Sequence, residues 1–408
     1  MIPFAQALST VLAQSHPLEA VETPPLLEAL GRTLAQDVAA RENIPITDNS
    51  AMDGYAVRHA DLAGTERPPL RVVEVLGAEH AATRTVQPGE AMKIMTGAPI
   101  PPGADAVVMV EHTRTDGSQV WIEGEATAGQ HIRPAGGDMR EGQLVLPAGT
   151  RLGAAQLGLL ASLGHLRIPV VRRPRVGVLA TGNELVQPDA PLLPGKVRNA
   201  NSYSLCALTQ LAGAEAEFLG IAADDIDDLR RRLEEGLAHF DVLITSGGVS
   251  MGDFDYIKHL VDEVGLAVHF RTVNVKPGKP VVFGNRQGHL FFGLPGNPVS
   301  SMVMFQQLVR PSLRRLLGLR GSGLRSLPAV MDTPYAKHDG KRHFLRGILE
   351  EQPEGLPHVR LTGKQDSNIL FSMGRADCFV VLPEERTQVQ PGETVTVQLF
   401  EEEPAAID

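Results

Sequence analysis

The hydrophobic pattern near the N-terminus predicts helices. Residues 3–15 place apolar side chains at helical spacing, so one face is apolar. A second helix is predicted from Leu26 to Ala40, and a third near residues 154–163. We therefore predict a helical connector domain that combines residues 1–44 with residues 138–170.

Between residues 45 and 137 the pattern changes to short alternating strands. Proline and glycine interrupt it at intervals of roughly eight to twelve residues, which is typical of compact β structure. The predicted strands are 70–75, 91–94, 106–110 and 119–122. We expect residues 45–137 to form a β-rich module inserted into the helical connector.

From residue 171 to about residue 320, strands alternate with helices. The predicted strands are continuous apolar runs, as expected when helices cover both faces of a parallel sheet. They are 175–180, 217–221, 241–245 and 290–294, and the predicted helices are 201–212, 226–239, 255–264 and 298–317. This segment predicts a parallel, doubly wound α/β domain.

Residues 321–408 are again rich in turns and short strands, including 377–383 and 394–400, and predict a small C-terminal β-barrel-like domain. The fold class is therefore mixed α/β and multidomain. A central doubly wound α/β domain is flanked by the inserted β module, the helical connector and the C-terminal β domain.

Composition excludes several classes of protein. The net charge of −10 and the aromatic share of 4% argue against nucleic-acid binding, because phosphate neutralisation needs a basic face and base stacking needs aromatic side chains. Cys206 and Cys378 lie in unrelated contexts without metal-ligand spacing. The sequence has neither a signal-peptide pattern nor an apolar run long enough to span a bilayer. We expect a cytoplasmic protein without membrane contact.

Three unusual loops follow strands of the α/β domain. They are residues 181–184, 245–253 and 293–298. In open α/β sheets, ligands bind at the carboxyl ends of the strands, and glycines let backbone N–H groups approach an anion. Each loop alone could be a simple tight turn, but three at one sheet edge favour an anion site. Neither a Walker A pattern nor a G-x-G-x-x-G fingerprint is present.

Charged residues recur around these loops. Lys276 and Lys279 flank a rigid turn, and lysine is suited to contact phosphate or another oxyanion. The carboxylates of the same region are Glu184, Asp224, Asp225, Asp253 and Asp255. Such oxygen ligands near a phosphate site indicate Mg²⁺. For Asp225 and Asp255 a helix N-cap is an open alternative.

Two further motifs lie outside the α/β domain, at residues 48–55 and 133–138. Taken with the loops, they closely resemble the molybdopterin molybdenumtransferase family, the family of bacterial MoeA and the gephyrin E domain. The stretches that carry the resemblance are DNSAMDGYAV (48–57), MTGAPIPPGADAVV (95–108), RPAGGDM (133–139), ATGNEL (180–185), TSGGVSMGDFDY (245–256), KPGKP (276–280) and GLPGNPVS (293–300).

The resemblance implies a homodimer whose active site lies between the α/β domain of one subunit and the β module of the other. Catalytic roles would fall to Asp53, Thr96, Asp138, Glu184, Asp225 and Asp255, the last three also surrounding Mg²⁺. Substrate-binding residues would be Ser246, Gly247, Gly248, Lys276, Lys279, Pro295, Gly296, Asn297, Pro298 and Ser372.

The implied reaction inserts molybdate into adenylylated molybdopterin and releases AMP, with Mg²⁺ as cofactor. The resemblance also implies transient contacts with a molybdopterin adenylyltransferase and with acceptor molybdoenzymes. Two alternatives stay open at this stage. One is the sister activity, molybdopterin adenylyltransferase, which the β module and N-terminal helices disfavour. The other is a scaffold role, which the retained carboxylates disfavour.

Overall fold

The computed structural model describes residues 1–64, 67–249, 257–319, 321 and 323–400. Its α-helices are α1 (Phe4–Gln14), α2 (Ala154–Ser162), α3 (Asn201–Leu211), α4 (Ile226–His239), α5 (Ile257–Glu263), α6 (Pro298–Met304), α7 (Arg310–Leu316) and α8 (Phe371–Gly374). Single 3₁₀ turns lie at Leu26–Ala29, His59–Leu62 and Val110–His112. Within the described ranges, no helix is long and apolar enough to cross a membrane.

The strands of the first half are β1 (Val21–Glu22), β2 (Val38–Ala39), β3 (Asn49–Ser50), β4 (Gly54–Val57), β5 (Leu70–Leu76), β6 (Glu90–Ile94), β7 (Ala106–Met109), β8 (Thr113–Thr115), β9 (Gln119–Ile122), β10 (Ile132–Arg133), β11 (Leu144–Leu146), β12 (Val170–Val171), β13 (Arg175–Thr181), β14 (Leu185–Val186) and β15 (Val197–Arg198).

The strands of the second half are β16 (Glu215–Ala222), β17 (Val242–Ser246), β18 (Ala267–Thr272), β19 (Val275–Lys276), β20 (Pro280–Arg286), β21 (His289–Leu294), β22 (Ser326–Met331), β23 (Tyr335–Ala336), β24 (Arg342–Glu350), β25 (His358–Leu361), β26 (Cys378–Leu382), β27 (Gln388–Val389) and β28 (Thr394–Leu399).

The chain forms two compact units. The larger unit contains residues 1–35, 149–153 and the chain from residue 167 onward, and the smaller unit contains residues 36–148 and 154–166. The predicted second helix, Leu26 to Ala40, is wrong. Only a 3₁₀ turn forms, because from Gly31 (φ 74°) onward the backbone bonds to a distant segment instead of to itself. Gly31 N–H donates to Leu152 O at 2.7 Å, and Leu34 N–H donates to Thr150 O at 2.9 Å.

The larger unit is built on a six-stranded sheet with the order β16-β13-β17-β21-β20-β18. The first four strands are parallel, whereas β20 and β18 are antiparallel to their neighbours. The four parallel strands are the four that the sequence predicted, whereas the antiparallel strands β18 and β20 were not predicted. Gln287 (φ 51°) and Gly288 (φ 89°) form a two-residue hairpin turn, and such a short turn can join only antiparallel strands.

Helices cover both faces of this sheet, as the continuous apolar strands predicted. One core combines residues of α1, α3, α6 and α7 with the sheet, and α4 and α5 pack into a second core on the other face. The helix predicted over 298–317 contains a π-helical turn, Phe305–Val309, between α6 and α7. Pro311 follows this turn and lacks the N–H that an uninterrupted α-helix would use there.

The C-terminal strands form a small closed barrel in the larger unit. The order is β24-β25-β22-β28-β26, and β26 pairs again with β24. The ring encloses its own apolar core. Strand β19 of the α/β domain adds in parallel to β24, with Lys276 opposite His343. The barrel is therefore joined directly to the loop that carries the two predicted lysines.

The smaller unit contains a six-stranded sheet with the order β7-β4-β6-β5-β9-β8. Strand β4, second from one edge, begins at Gly54, where a Cβ atom would lie 2.0 Å from the carbonyl oxygen of Val108 on the edge strand β7. Glycine is required here by the close approach of two backbones. This explains on physical grounds one residue of the motif at 48–57.

We expect Gly54→Ala to destabilise the smaller unit by about 3 kcal/mol, because neither backbone can move without breaking the β4–β7 pairing. The matched control is Gly158→Ala on the exposed face of α2 in the same unit, where nothing lies within 4 Å of the added Cβ. That change should stabilise the unit by about 0.5–1 kcal/mol through helix propensity. Trp121 on β9 is the single tryptophan of the chain, so its fluorescence during urea unfolding reports on this unit. Equal stabilities of the two variants would contradict the steric explanation.

Candidate functional site

The loops after β13, β17 and β21 meet at the carboxyl edge of the α/β sheet and enclose a cavity of about 520 Å³. We call it the first cavity. Six predicted site residues line it, namely Glu184, Ser246, Gly247, Gly248, Gly296 and Pro298. Parallel strands deliver their carboxyl ends to one edge, which is why residues so distant in sequence converge.

The glycines of the β17 loop are required by conformation and by space. Gly247 and Gly248 have φ values of 100° and 71°, in the left-handed region that favours glycine. A Cβ on Gly247 would lie 2.7 Å from Thr181 O, and one on Gly248 would lie 2.6 Å from Ile257 Cγ1. The loop therefore presents bare backbone to the cavity, as an anion-binding loop requires.

Asn201, at the start of α3, joins two of these loops and was not among the predicted site residues. Its Nδ2 donates to Ser246 Oγ and to Gly296 O, both at 2.8 Å. Because Asn201 donates to it, the Ser246 hydroxyl can direct its own proton to another acceptor. The sequence signal was the pair of asparagines in Asn199-Ala200-Asn201, where a helix was predicted to begin after an apolar strand and its loop.

Of the neighbouring aspartates, the structure places Asp224 in the first cavity and Asp225 at the N-cap of α4. Asp225 Oδ1 accepts from the N–H groups of Asp227 (3.1 Å) and Asp228 (2.9 Å). Asp224 Oδ2 accepts from Asn183 N–H at 3.0 Å, and its own N–H donates to Asn183 Oδ1 at 3.2 Å. The N-cap alternative for Asp225 is thus what the structure shows, and Asp224 takes the position facing the cavity.

A second cavity, of about 510 Å³, lies beside the KPGKP loop. The predicted residues Lys276, Lys279, Pro295 and Asn297 line it. Its wall also includes residues of the C-terminal barrel that were not predicted, namely Lys341, Gln365, Asp366, Ser367 and Asn368. Residues of one loop, 295–298, alternate between the two cavities, with Pro295 and Asn297 on one side and Gly296 and Pro298 on the other.

The barrel also supplies the cap of α6. Asn297 occupies the N-cap position but makes no side-chain cap, and its Nδ2 donates to Ser367 Oγ at 3.0 Å. Ser367 O in turn accepts the N–H of Val299 at 3.2 Å. One N–H of this helix start is therefore already used by the protein and is not available to a ligand.

The predicted Ser372 lines neither cavity. It is buried, and its Oγ accepts from Arg346 Nε at 3.0 Å. Arg346 is itself fully buried and donates to the carbonyl oxygens of residues 364, 365 and 366. Burial lowers the pKa of Arg346 to about 10. Together they hold the loop that carries Ser367, and Ser367 is the serine that reaches the second cavity.

In the smaller unit, Asp53 and Thr96 form a direct pair. Thr96 N–H and Oγ1–H donate to Asp53 Oδ1 at 2.6 and 2.8 Å. The backbone hydrogen bond, and then the hydroxyl bond, lower the pKa of Asp53. The carboxylate therefore stays ionised at neutral pH. It is exposed to solvent and open to a ligand.

The three motifs of the smaller unit also converge. Strand β3 pairs with β10, with Asn49 opposite Arg133, and Asp48 Oδ1 accepts the N–H of Ala135 at 2.8 Å. Gly97 N–H donates to Ser50 O at 2.8 Å. Asp138 is exposed, and its N–H donates to Ile44 O at 3.0 Å.

The remaining predicted carboxylates, Asp253 and Asp255, lie outside the described residues. Elsewhere, no cluster of three or more His, Cys, Asp or Glu side chains that could hold a metal occurs among the described residues. Glu184 and Asp224 nevertheless place two carboxylates around the first cavity. This fits Mg²⁺, which usually takes one or two carboxylates and completes its shell with substrate oxygens.

Neither cysteine is a reactive thiolate, since burial raises the pKa of Cys206 and raises that of Cys378 to about 12.

Comparison with known proteins identifies the family. Three family models match in order: the MoeA N-terminal region (domain I and II) over residues 2–164, a probable molybdopterin binding domain over 177–315, and the MoeA C-terminal region (domain IV) over 328–400. A protein of Haemophilus influenzae named molybdopterin molybdenumtransferase is 36% identical over 402 residues, which cover 98% of this chain and 99% of that protein. The chain belongs to the molybdopterin molybdenumtransferase family.

Other relatives agree with this assignment. A molybdopterin molybdenumtransferase of a Nostoc species is 36% identical and covers 91% of this chain and 87% of that protein. The crystal structure of a molybdopterin biosynthesis moeA protein from Pyrococcus horikoshii superposes with a TM-score of 0.86 at 29% identity, covering 98% of this chain and all of that one. The family and the mixed α/β multidomain fold predicted from the sequence are thus confirmed.

The different positions of Asp224 and Asp225 predict different consequences of their removal. Asp225→Ala should cost about 1 kcal/mol of stability, because α4 loses its cap. It should leave ligand binding unchanged. Asp224→Ala should weaken the binding of Mg²⁺ with AMP about tenfold, with little change in stability, because one of the two carboxylates that line the first cavity is lost. Calorimetric titration and thermal unfolding measure the two effects, and the reverse pattern would return Asp225 to the site.

Proposed function

We propose that this protein inserts molybdate into adenylylated molybdopterin, releasing AMP and forming molybdenum cofactor. The observation that carries the proposal is the loop at 295–298, whose residues alternate between an amide-rich cavity and a cationic one. A nucleotide-linked pterin and molybdate are both anions and repel each other in water. Two adjoining sites, one built from backbone amides and the other from lysines, would hold them side by side.

The first cavity suits the phosphate-bearing substrate. The bare backbone of Gly247 and Gly248 and the Ser246 hydroxyl held by Asn201 would bind and orient phosphate oxygens. Glu184 and Asp224 would hold Mg²⁺. When bound, Mg²⁺ would polarise the phosphoanhydride and neutralise charge on its oxygens. Water would then attack the adenylyl phosphorus, the P–O bond of the phosphoanhydride would break, and AMP would leave. The two thiols of the pterin would bind molybdenum in place of one molybdate oxygen, which would leave as water with the two thiol protons.

The second cavity would bind molybdate through Lys276 and Lys279. Neither cysteine is needed in this scheme, in keeping with their raised thiol pKa values. We further propose a cytoplasmic homodimer in which Asp53, Thr96 and Asp138 of one subunit complete the site of the other. Transient delivery of substrate by an adenylyltransferase, and of product to acceptor molybdoenzymes, belongs to the same proposal.

The first test supplies the purified protein with adenylylated molybdopterin, molybdate and Mg²⁺. We expect AMP release that depends on molybdate, together with reconstitution of an apo-molybdoenzyme. A metal chelator should abolish AMP release and reconstitution. Glu184→Gln should lower the rate by roughly a hundredfold, because Mg²⁺ is held less tightly and no longer neutralises charge on the phosphoanhydride. Lys364→Ala, an exposed lysine outside both cavities, is the control. Consumption of ATP without AMP release on molybdate addition would instead favour the adenylyltransferase activity.

A mixing experiment tests the shared site. Asp53→Asn and Glu184→Gln should each be nearly inactive alone. If each site takes Asp53 from one subunit and Glu184 from the other, a heterodimer has one intact site. Random re-association of equal amounts should then restore about a quarter of the wild-type rate. No recovery, with heterodimers demonstrated by a tag, would show that each site lies within one subunit.

A further inference from the structure

We propose that Lys341, which the C-terminal barrel contributes, is a third anion-binding lysine of the second cavity and that Asp339 positions it. The ligand class is a tetrahedral dianion. This inference rests on the proposed function, in which the second cavity receives molybdate, and it adds a binding residue from a separate domain.

Charge is the first reason. The described wall of the second cavity carries three lysines, Lys276, Lys279 and Lys341, against one carboxylate, Asp366. The residues that line this cavity therefore carry two net positive charges in a chain whose net charge is −10. Lys341 supplies one of these charges, and Asp339, which lies outside the lining, offsets it only in part across 3.7 Å. Local cation surplus in an acidic protein indicates a site built for an anion.

Fixed placement of the Lys341 segment is the second reason. Asn274 Nδ2 donates to Gly340 O at 2.9 Å, and Arg342 N–H donates to Asn274 O at 3.1 Å. Strand β19, which ends at Lys276, pairs in parallel with the start of β24. The backbone on both sides of Lys341 is thus hydrogen-bonded to Asn274, two residues before Lys276, and both lysines line the same cavity.

Asp339 sets the position of the Lys341 side chain. Lys341 Nζ lies 3.7 Å from Asp339 Oδ2, a long ion pair that leaves ammonium protons for a ligand. His343 Nε2 donates to Asp339 Oδ1 at 2.9 Å, and Tyr335 O–H donates to His343 Nδ1 at 3.1 Å. His343 is almost fully buried, and burial lowers its pKa, so it holds Asp339 as a neutral ring.

A nearby lysine shows what a purely structural role looks like. Lys337 is buried, and its ammonium donates to the carbonyl oxygens of Lys341, Pro383 (2.6 Å) and Glu384 (3.3 Å). All three of its protons are therefore used within the barrel. Lys341 differs from Lys337, because its side chain is about a quarter exposed, lines the cavity and makes one long ion pair with Asp339.

The test is calorimetric titration of the full-length protein with molybdate. We expect Lys341→Ala to weaken molybdate binding about tenfold and Lys341→Arg to restore most of it, because a charge-assisted contact is lost and then regained. Asp339→Asn should weaken binding about threefold, because the ammonium is no longer held. Lys364→Ala, which removes the same charge from the adjoining loop, should leave binding unchanged. Thermal unfolding confirms that each variant is folded.

Distinct outcomes separate this inference from the function on which it rests. If Lys276→Ala weakens molybdate binding but Lys341→Ala does not, Lys341 is not a ligand and the proposed function stands. If neither variant changes molybdate binding, molybdate does not bind in the second cavity and that part of the proposed function is wrong. If Lys341→Ala weakens binding of AMP but not of molybdate, Lys341 serves the nucleotide phosphate and our assignment is wrong. Tighter binding by Asp339→Asn would show that Asp339 only offsets charge.

Discussion

The contact between the barrel and the sheet edge organises most of the chemistry in the larger unit. Strand β19 pairs with β24, and Ser367 takes the N–H of Val299 while its hydroxyl draws Asn297 away from the usual cap. The first N–H groups of a helix have no partner within the helix, and the barrel supplies the partner for one of them. The same bonds hold the loop at 295–298 between two cavities, and the second cavity exists because two domains form its wall.

Charge in this protein is local in its effect. The chain is acidic overall, yet three lysines gather on one wall and carboxylates gather around the neighbouring cavity. The separation is not complete, because Arg198 also lines the first cavity and Asp366 also lines the second. Backbone amides, lysines and carboxylates thereby serve different parts of two anionic substrates.

Sequence reasoning succeeded where local pattern and tertiary environment agree. Helix α4 and strand β9 lie at their predicted positions, because amphipathic periodicity and turn residues act over a few neighbours. It failed for the segment from Leu26 to Ala40, where helical spacing was overridden by hydrogen bonds to residues 150–152. Sequence reasoning also selected Asp225 and Ser372, whereas the residues that line the two cavities are Asp224 and Ser367. Adjacent or similar side chains differ only in the direction that the folded backbone gives them.

The sequence alone determined the family, the alternation of strands and helices in the central domain, and the loops that line the first cavity, because motifs and periodicity are written in neighbouring residues. Tertiary structure decided which carboxylate faces that cavity and that Ser372 accepts a hydrogen bond from the buried Arg346. It also decided that Lys341 lines the second cavity together with Lys276 and Lys279. These outcomes depend on contacts between residues far apart in the chain. No spacing in the sequence specifies them, since they arise only when the barrel packs on the sheet edge.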